Sequence, residues 1–223
     1  MMMLPDSRAP ARWHVADFAD AIASGIDAQV ALDREAQAVS GVDALDEVSL
    51  HPILASSLSA GGFGVHREQR YPSERHKRNR AEGRRCDLVL TPDGRPIQDP
   101  QAAATLFDEP NAVPLEDAFW LEVKTVAQFT PEGPNPSWSG ELLGTVRSDV
   151  SKLARDTEIL HAGLLIVLWT ASPEIANNDL GVWQDRCLDR GLPIGAPSER
   201  ILPLQDRLGN ACCVLRVYPV HHL

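Results

Sequence analysis

The chain has 223 residues, 43% of them hydrophobic and 23% charged, a balance that suits one α/β domain with trimmings and excludes wholesale disorder. Its formal net charge of -10 argues against a protein that coats nucleic acid through bulk electrostatics. Residues 1–12 lack the apolar stretch of a secretory signal and residues 164–169 are too short to span a bilayer, so the sequence points to the cytoplasm. Cys86, Cys187, Cys212 and Cys213 show no C-x-x-C spacing and read as reduced, structural thiols.

Residues 11–42 are Ala-rich and carry Trp13, Phe18, Ile22, Ile26 and Val30 at helical spacing. This predicts one or two amphipathic helices, an N-terminal extension over residues 1–43 ahead of a main domain over 44–223. Residues 44–60 repeat the pattern through Leu45, Val48, Ile53, Leu54 and Leu58, stopping at Gly61-Gly62, where glycine can cap a helix. Pro52 either sits in the first turn, leaving Glu47 just before the helix, or kinks a longer helix.

Residues 64–71, 85–91 and 118–126 are rich in β-branched, aromatic and aliphatic side chains and predict three strands. Tyr71-Pro72 and Thr91-Pro92-Asp93-Gly94 punctuate them as turns. Residues 93–117 and 128–140 are Pro-containing, lack a period and read as loops. A helix follows over 142–161, then a fully apolar strand over 163–170, a helix near 180–190 and a last strand near 211–220. The order helix, strand, strand, strand, helix, strand predicts an α/β fold, a mixed central sheet with flanking helices.

Two places break the apolar logic of the strands. In Glu122-Val123-Lys124 alternation puts a carboxylate and an ammonium on one face, which taken alone fits an exposed ion pair. Asp87 lies inside Arg85-Cys86-Asp87-Leu88-Val89-Leu90, where strand propensity disfavours an acid, so it either pairs with the neighbouring arginines or serves a site. If the two strands pair, Asp87 and Glu122 bring two carboxylates together, an arrangement that is repulsive unless a cation or a proton lies between them. Oxygen ligands of this kind suit Mg²⁺ or Mn²⁺, and Lys124 would then stand where it can orient an attacking water and stabilise phosphorane charge.

With these residues the sequence resembles the PD-(D/E)XK nuclease superfamily, over about residues 46–170. The family's first acid matches Asp87, with Cys86 where proline is common, and its E-x-K matches Glu122-Val123-Lys124. The resemblance implies a restriction-endonuclease-like αβββαβ core and Mg²⁺- or Mn²⁺-dependent hydrolysis of nucleic acid, DNA first. It also implies a metal held by Asp87, Glu122 and the Val123 main chain, with Lys124 catalytic. Many members add a glutamate from the first core helix, matched here by Glu47, with Glu68 as the alternative. Thirty-four residues separate Asp87 from Glu122, so the hairpin needs the 93–117 excursion.

Residues 67–85 hold eight basic residues against three acids, a local excess within an acidic chain. Arg78, Arg80, Arg84 and Arg85 of that run, with Lys152 and Arg155 on the helix over 142–161, are the candidate substrate contacts. Solvated faces, with Lys152 and Arg155 balanced by Asp149 and Asp156, are the alternative. His51, His66, His76 and His161 lack the paired spacing of a zinc site. A catalytically inactive nuclease-fold module that binds nucleic acid or a protein partner is the rival to the enzyme, and relatives often form homodimers to cut two strands.

Overall fold

In the computed structural model, which describes residues 12–74, 84–98 and 111–222, the N-terminal apolar stripe lies on one helix, α1 (Val15–Glu35). Phe18, Ile22, Ile26 and Val30 are buried along it. Helix α2 (Glu47–Ala60) starts where the Asp46 carboxylate accepts the Ser49 N–H at 2.8 Å, and it ends at Gly61 and Gly62. Glu47 is therefore the first helical residue and Pro52 lies inside the helix, which settles the two alternatives left by the sequence. The two helices cross closely at Gly25, where a Cβ would lie 1.7 Å from Ser57 Oγ.

Strands β1 (Gly64–Arg70), β2 (Arg85–Thr91) and β3 (Phe119–Ala127) form an antiparallel meander. A small hairpin of β4 (Phe129–Thr130) and β5 (Gly133–Pro134) follows. Helix α3 (Trp138–Gly140) runs through a π-helical segment (Glu141–Thr145) into α4 (Val146–Arg155). This crossover brings β6 (His161–Thr170) parallel to β3. After α5 (Pro173–Asp189), strands β7 (Ser198–Pro203) and β8 (Cys212–Val220) complete a six-stranded mixed sheet of order β1-β2-β3-β6-β8-β7. The fold is thus α/β, a mixed sheet with helices on both faces.

The sheet divides two apolar clusters. One face carries Leu88, Leu90, Leu121, Val123, Leu165 and Val167 against α1 and α2; the other carries Trp120, Val126, Leu164, Ile166 and Leu168 against α4 and α5. The expected N-terminal extension is built into the first of these layers through α1. All four cysteines are buried and free, and among the described residues no helix is long and apolar enough to cross a membrane.

Some boundaries differ from expectation. The helix expected to reach residue 161 ends at Arg155, because the Asp156 carboxylate takes the N–H groups of Ser73 and Glu158, both at 3.2 Å, and turns the chain into β6. Helix α5 begins earlier than predicted, at Pro173, behind the capping hydroxyl of Ser172. The β4–β5 hairpin falls in a stretch expected to be a loop, and strand β7 was not anticipated from the sequence. In β7 Glu199 and Arg200 mask the alternation, and both find ion-pair partners at the sheet edge.

Candidate metal centre

Strands β2 and β3 pair only through Leu88, Val89 and Leu90 against Leu121, Trp120 and Phe119, whereas β3 pairs with β6 along its whole length. From Glu122 onward the β2-facing edge of β3 is left without a strand. Alternate N–H groups of a strand point to that edge and need acceptors. Two carboxylates supply them: Asp87 Oδ2 takes the Val123 N–H at 2.8 Å, and Glu47 Oε2 takes the Thr125 N–H at 3.1 Å. The same Glu47 oxygen holds the Lys124 ammonium at 2.9 Å.

The divergence is marked in the backbone. Arg67 pairs with Leu88 and Gln69 with Cys86, but Glu68 and Asp87 between them do not pair, and Glu68 has φ of 54° in the left-handed region. Cys86 and Val89 both join the cluster against α4 and α5, two positions that strict alternation would place on opposite faces. The pleat therefore slips next to Asp87, at the site.

Glu122 is 4% exposed, and Tyr71 donates its hydroxyl to Oε1. Lys152 Nζ lies 4.0 Å from the same oxygen and 2.6 Å from Asp149. Burial pushes the Glu122 pKa up to about 9; the Asp87 charge and a hydrogen bond with Asp87 push the same way, while Tyr71 and Lys152 pull it down. Without a cation these effects favour the protonated carboxyl. Burial pulls the Lys152 pKa down, but Asp149 and the carboxyls of Glu122 and Asp87 outweigh it and hold it above the usual value. Burial, with the nearby Cys86 and Glu122, raises Tyr71 far above the usual phenol range.

On the α2 side of Asp87 lies His51. Ligand atoms of His51, Glu68 and Asp87 all lie within 4.8 Å of one another. His51 is 4% exposed and its Nε2 is buried with no hydrogen-bond partner. A buried, unpartnered imidazole nitrogen beside carboxylates is costly unless something accepts its lone pair or its proton. This donor set suits a divalent cation, and the imidazole tilts it from Mg²⁺ toward Mn²⁺.

The structure thus gathers Asp87, Glu122, Lys124 and Glu47 along one open strand edge and adds His51, Glu68, Tyr71 and Lys152. Lys124 is paired with Glu47, and Glu122 is buried; the exposed Glu122–Lys124 ion pair does not form. Asp87 likewise takes a backbone N–H, while Arg85 donates to the Glu68 carbonyl at 2.8 Å, outside the group. Arg84, Lys152 and Arg155 line a cavity of about 470 Å³ behind Tyr71. Arg78 and Arg80 lie outside the described residues. His51 was dismissed on sequence because only a zinc pattern was sought; its signal was the i, i+4 spacing from Glu47, which puts both on one face of α2.

No family model matches the chain, and no significantly similar curated protein or solved structure was found.

Proposed function

We propose that the protein is a Mg²⁺- or Mn²⁺-dependent nuclease of the PD-(D/E)XK type, acting on DNA. The cluster of Glu68 and Asp87 with the unpartnered His51, next to the Glu122 carboxyl that faces Asp87 at the parting of β2 and β3, carries this proposal. The run α2, β1, β2, β3, α4, β6, with β3 and β6 parallel, supports a restriction-endonuclease-like core.

Asp87, Glu122, His51 and Glu68 are the residues that would hold the cation, together with the Val123 carbonyl on the open edge of β3. The cation supplies Lewis-acid polarisation of the phosphate and an acidified water. Lys124, an ammonium fixed by Glu47, is set to donate to the phosphate oxygen on which charge grows in the transition state. Glu47 is a positioning residue: its one oxygen fixes both Lys124 and the Thr125 N–H. Tyr71 and Lys152 keep Glu122 aimed at Asp87, and the cationic cavity beyond them suits a polyanionic strand.

The test is cleavage of plasmid, linear duplex and single-stranded DNA with Mg²⁺, Mn²⁺ or EDTA, beside calorimetric titration of Mn²⁺. Cleavage should need the cation and fall at least about 100-fold in Lys124→Ala, the scale of one lost transition-state donor. His51→Ala should weaken Mn²⁺ binding. A wild type that binds DNA but neither cuts it nor takes up Mn²⁺ would replace the enzyme with a binding module.

A further inference from the structure

Two groups of carboxylates meet around Glu122, and they differ in what neutralises them. On the α2 side, Asp87 and Glu68 lie with His51, whose Nε2 is buried and unpartnered, a set of donors that suits a divalent ion. On the α4 side, Glu122 and Asp149 have a cation of the chain's own. Lys152 Nζ stands 2.6 Å from Asp149 Oδ1 and 4.0 Å from Glu122 Oε1.

Asp149 and Glu122 come from different elements, α4 and β3, and both are buried. Two acids gathered around one point repel each other unless a cation or a proton lies between them. The Lys152 ammonium is that cation. Its place is fixed locally, because Asp149 lies three residues earlier on α4 and helix geometry puts both side chains on one face. Glu122 Oε1 also accepts from the Tyr71 hydroxyl, so this oxygen is met by a phenol and an ammonium, and a divalent ion on the His51 side would draw on Oε2. Two-metal phosphodiester hydrolysis sets its ions about 3.5–4 Å apart. Ions that close need a shared carboxylate, and here the second oxygen of that carboxylate is already taken.

We propose that the Lys152 ammonium occupies the place that a second divalent cation would take, so that the centre binds a single Mg²⁺ or Mn²⁺. This count rests on the proposed metal centre. Lys152 is partly exposed and lines the cavity behind Tyr71, so its charge faces the side from which a polyanionic strand would approach. One positive charge of the centre is thus built into the chain, and a chelator removes only the other.

The experiment counts Mn²⁺ per chain by calorimetric titration of the full chain, wild type beside Lys152 variants, with folding followed by circular dichroism. Wild type should take up one ion. Lys152→Met keeps the apolar stem and removes the charge, so Asp149 and Glu122 should admit a second, weaker ion, since one or two carboxylates with water suffice for such a cation. Lys152→Gln serves the same purpose should Lys152→Met disturb the fold. Lys152→Arg keeps a cation between the two acids and should stay at one ion. Adding Asp149→Asn to Lys152→Met should return the count to one. Two ions in the wild type overturn the proposal with no variant needed, as does a folded Lys152→Met or Lys152→Gln that still takes only one. A second ion that survives Asp149→Asn overturns it too, by placing that ion elsewhere. Those results leave the nuclease reading standing, whereas a wild type that takes up no Mn²⁺ removes the metal centre and the single-ion count with it.

Discussion

The two halves of β3 have the same neighbour on one side and different neighbours on the other. Phe119, Trp120 and Leu121 are strand-paired on both edges and buried in both apolar clusters. From Glu122 on, β6 still pairs, but the opposite edge is served by the carboxylates of Asp87 and Glu47 in place of a strand. One half is held by packing, the other by polar groups that exist to meet exposed N–H donors. A polar site can stand inside a sheet because strand pairing ends there; of the two carboxylates that close the edge, Glu47 is committed to Lys124 and Asp87 is among the proposed cation ligands.

Leu121→Ala would break the packed half alone. Leu121 is 0% exposed in the cluster under α1 and α2, so its truncation should cost about 2–5 kcal/mol of stability, read as a shifted urea midpoint. Mn²⁺ affinity of the folded variant should stay near wild type. If affinity drops in step with stability, the two halves are one cooperative unit and the division is wrong.

Much of the packed half was legible in the sequence, because apolar alternation and one long apolar run place β1, β2, β3, β6 and β8 with little help. The site was legible where a residue defied its segment: Asp87 in a strand, Glu122 and Lys124 two apart among aliphatics, Glu47 at a helix start. What could not be read is non-local. No local pattern tells that β2 leaves β3 after three pairs, that Lys124 turns to Glu47 rather than Glu122, or that Tyr71 and Lys152 converge on Glu122 from elements 51 residues and one helix away. His51 lies between these cases, visible in spacing and invisible in purpose.

Glu122→Gln sharpens the polar half. Folded Glu122 holds its proton to about 9, whereas the unfolded chain releases it near the ordinary 4.5. Between these values the native state binds a proton that the unfolded state has lost, so stability falls as pH rises, by at most about 1.4 kcal/mol per pH unit for the one group. Below the lower value the dependence vanishes. In EDTA the wild-type melting temperature should therefore decline between about pH 5 and about pH 8, and the glutamine variant, which is neutral throughout, should decline less. Parallel profiles would mean that Glu122 is ionised in the fold and that no proton has to leave for a cation to bind.

The smallest effect tests the seam between the halves. Thr125 sends its N–H to Glu47 on the open edge, while its hydroxyl receives the Trp169 indole N–H at 3.0 Å on the packed face. Thr125→Val keeps the first contact and the shape of the side chain and removes the second, leaving the nearly buried Trp169 nitrogen without its acceptor. A loss of about 1–2 kcal/mol should appear in urea unfolding, with blue-shifted or quenched tryptophan emission as its local signature. Metal binding and Lys124 should be untouched, because the Glu47 contacts run through backbone and ammonium, not through the hydroxyl. A change in Mn²⁺ affinity on Thr125→Val would mean that Glu47 feels the packed face through β3, so that the open edge is tuned from behind as well as from α2.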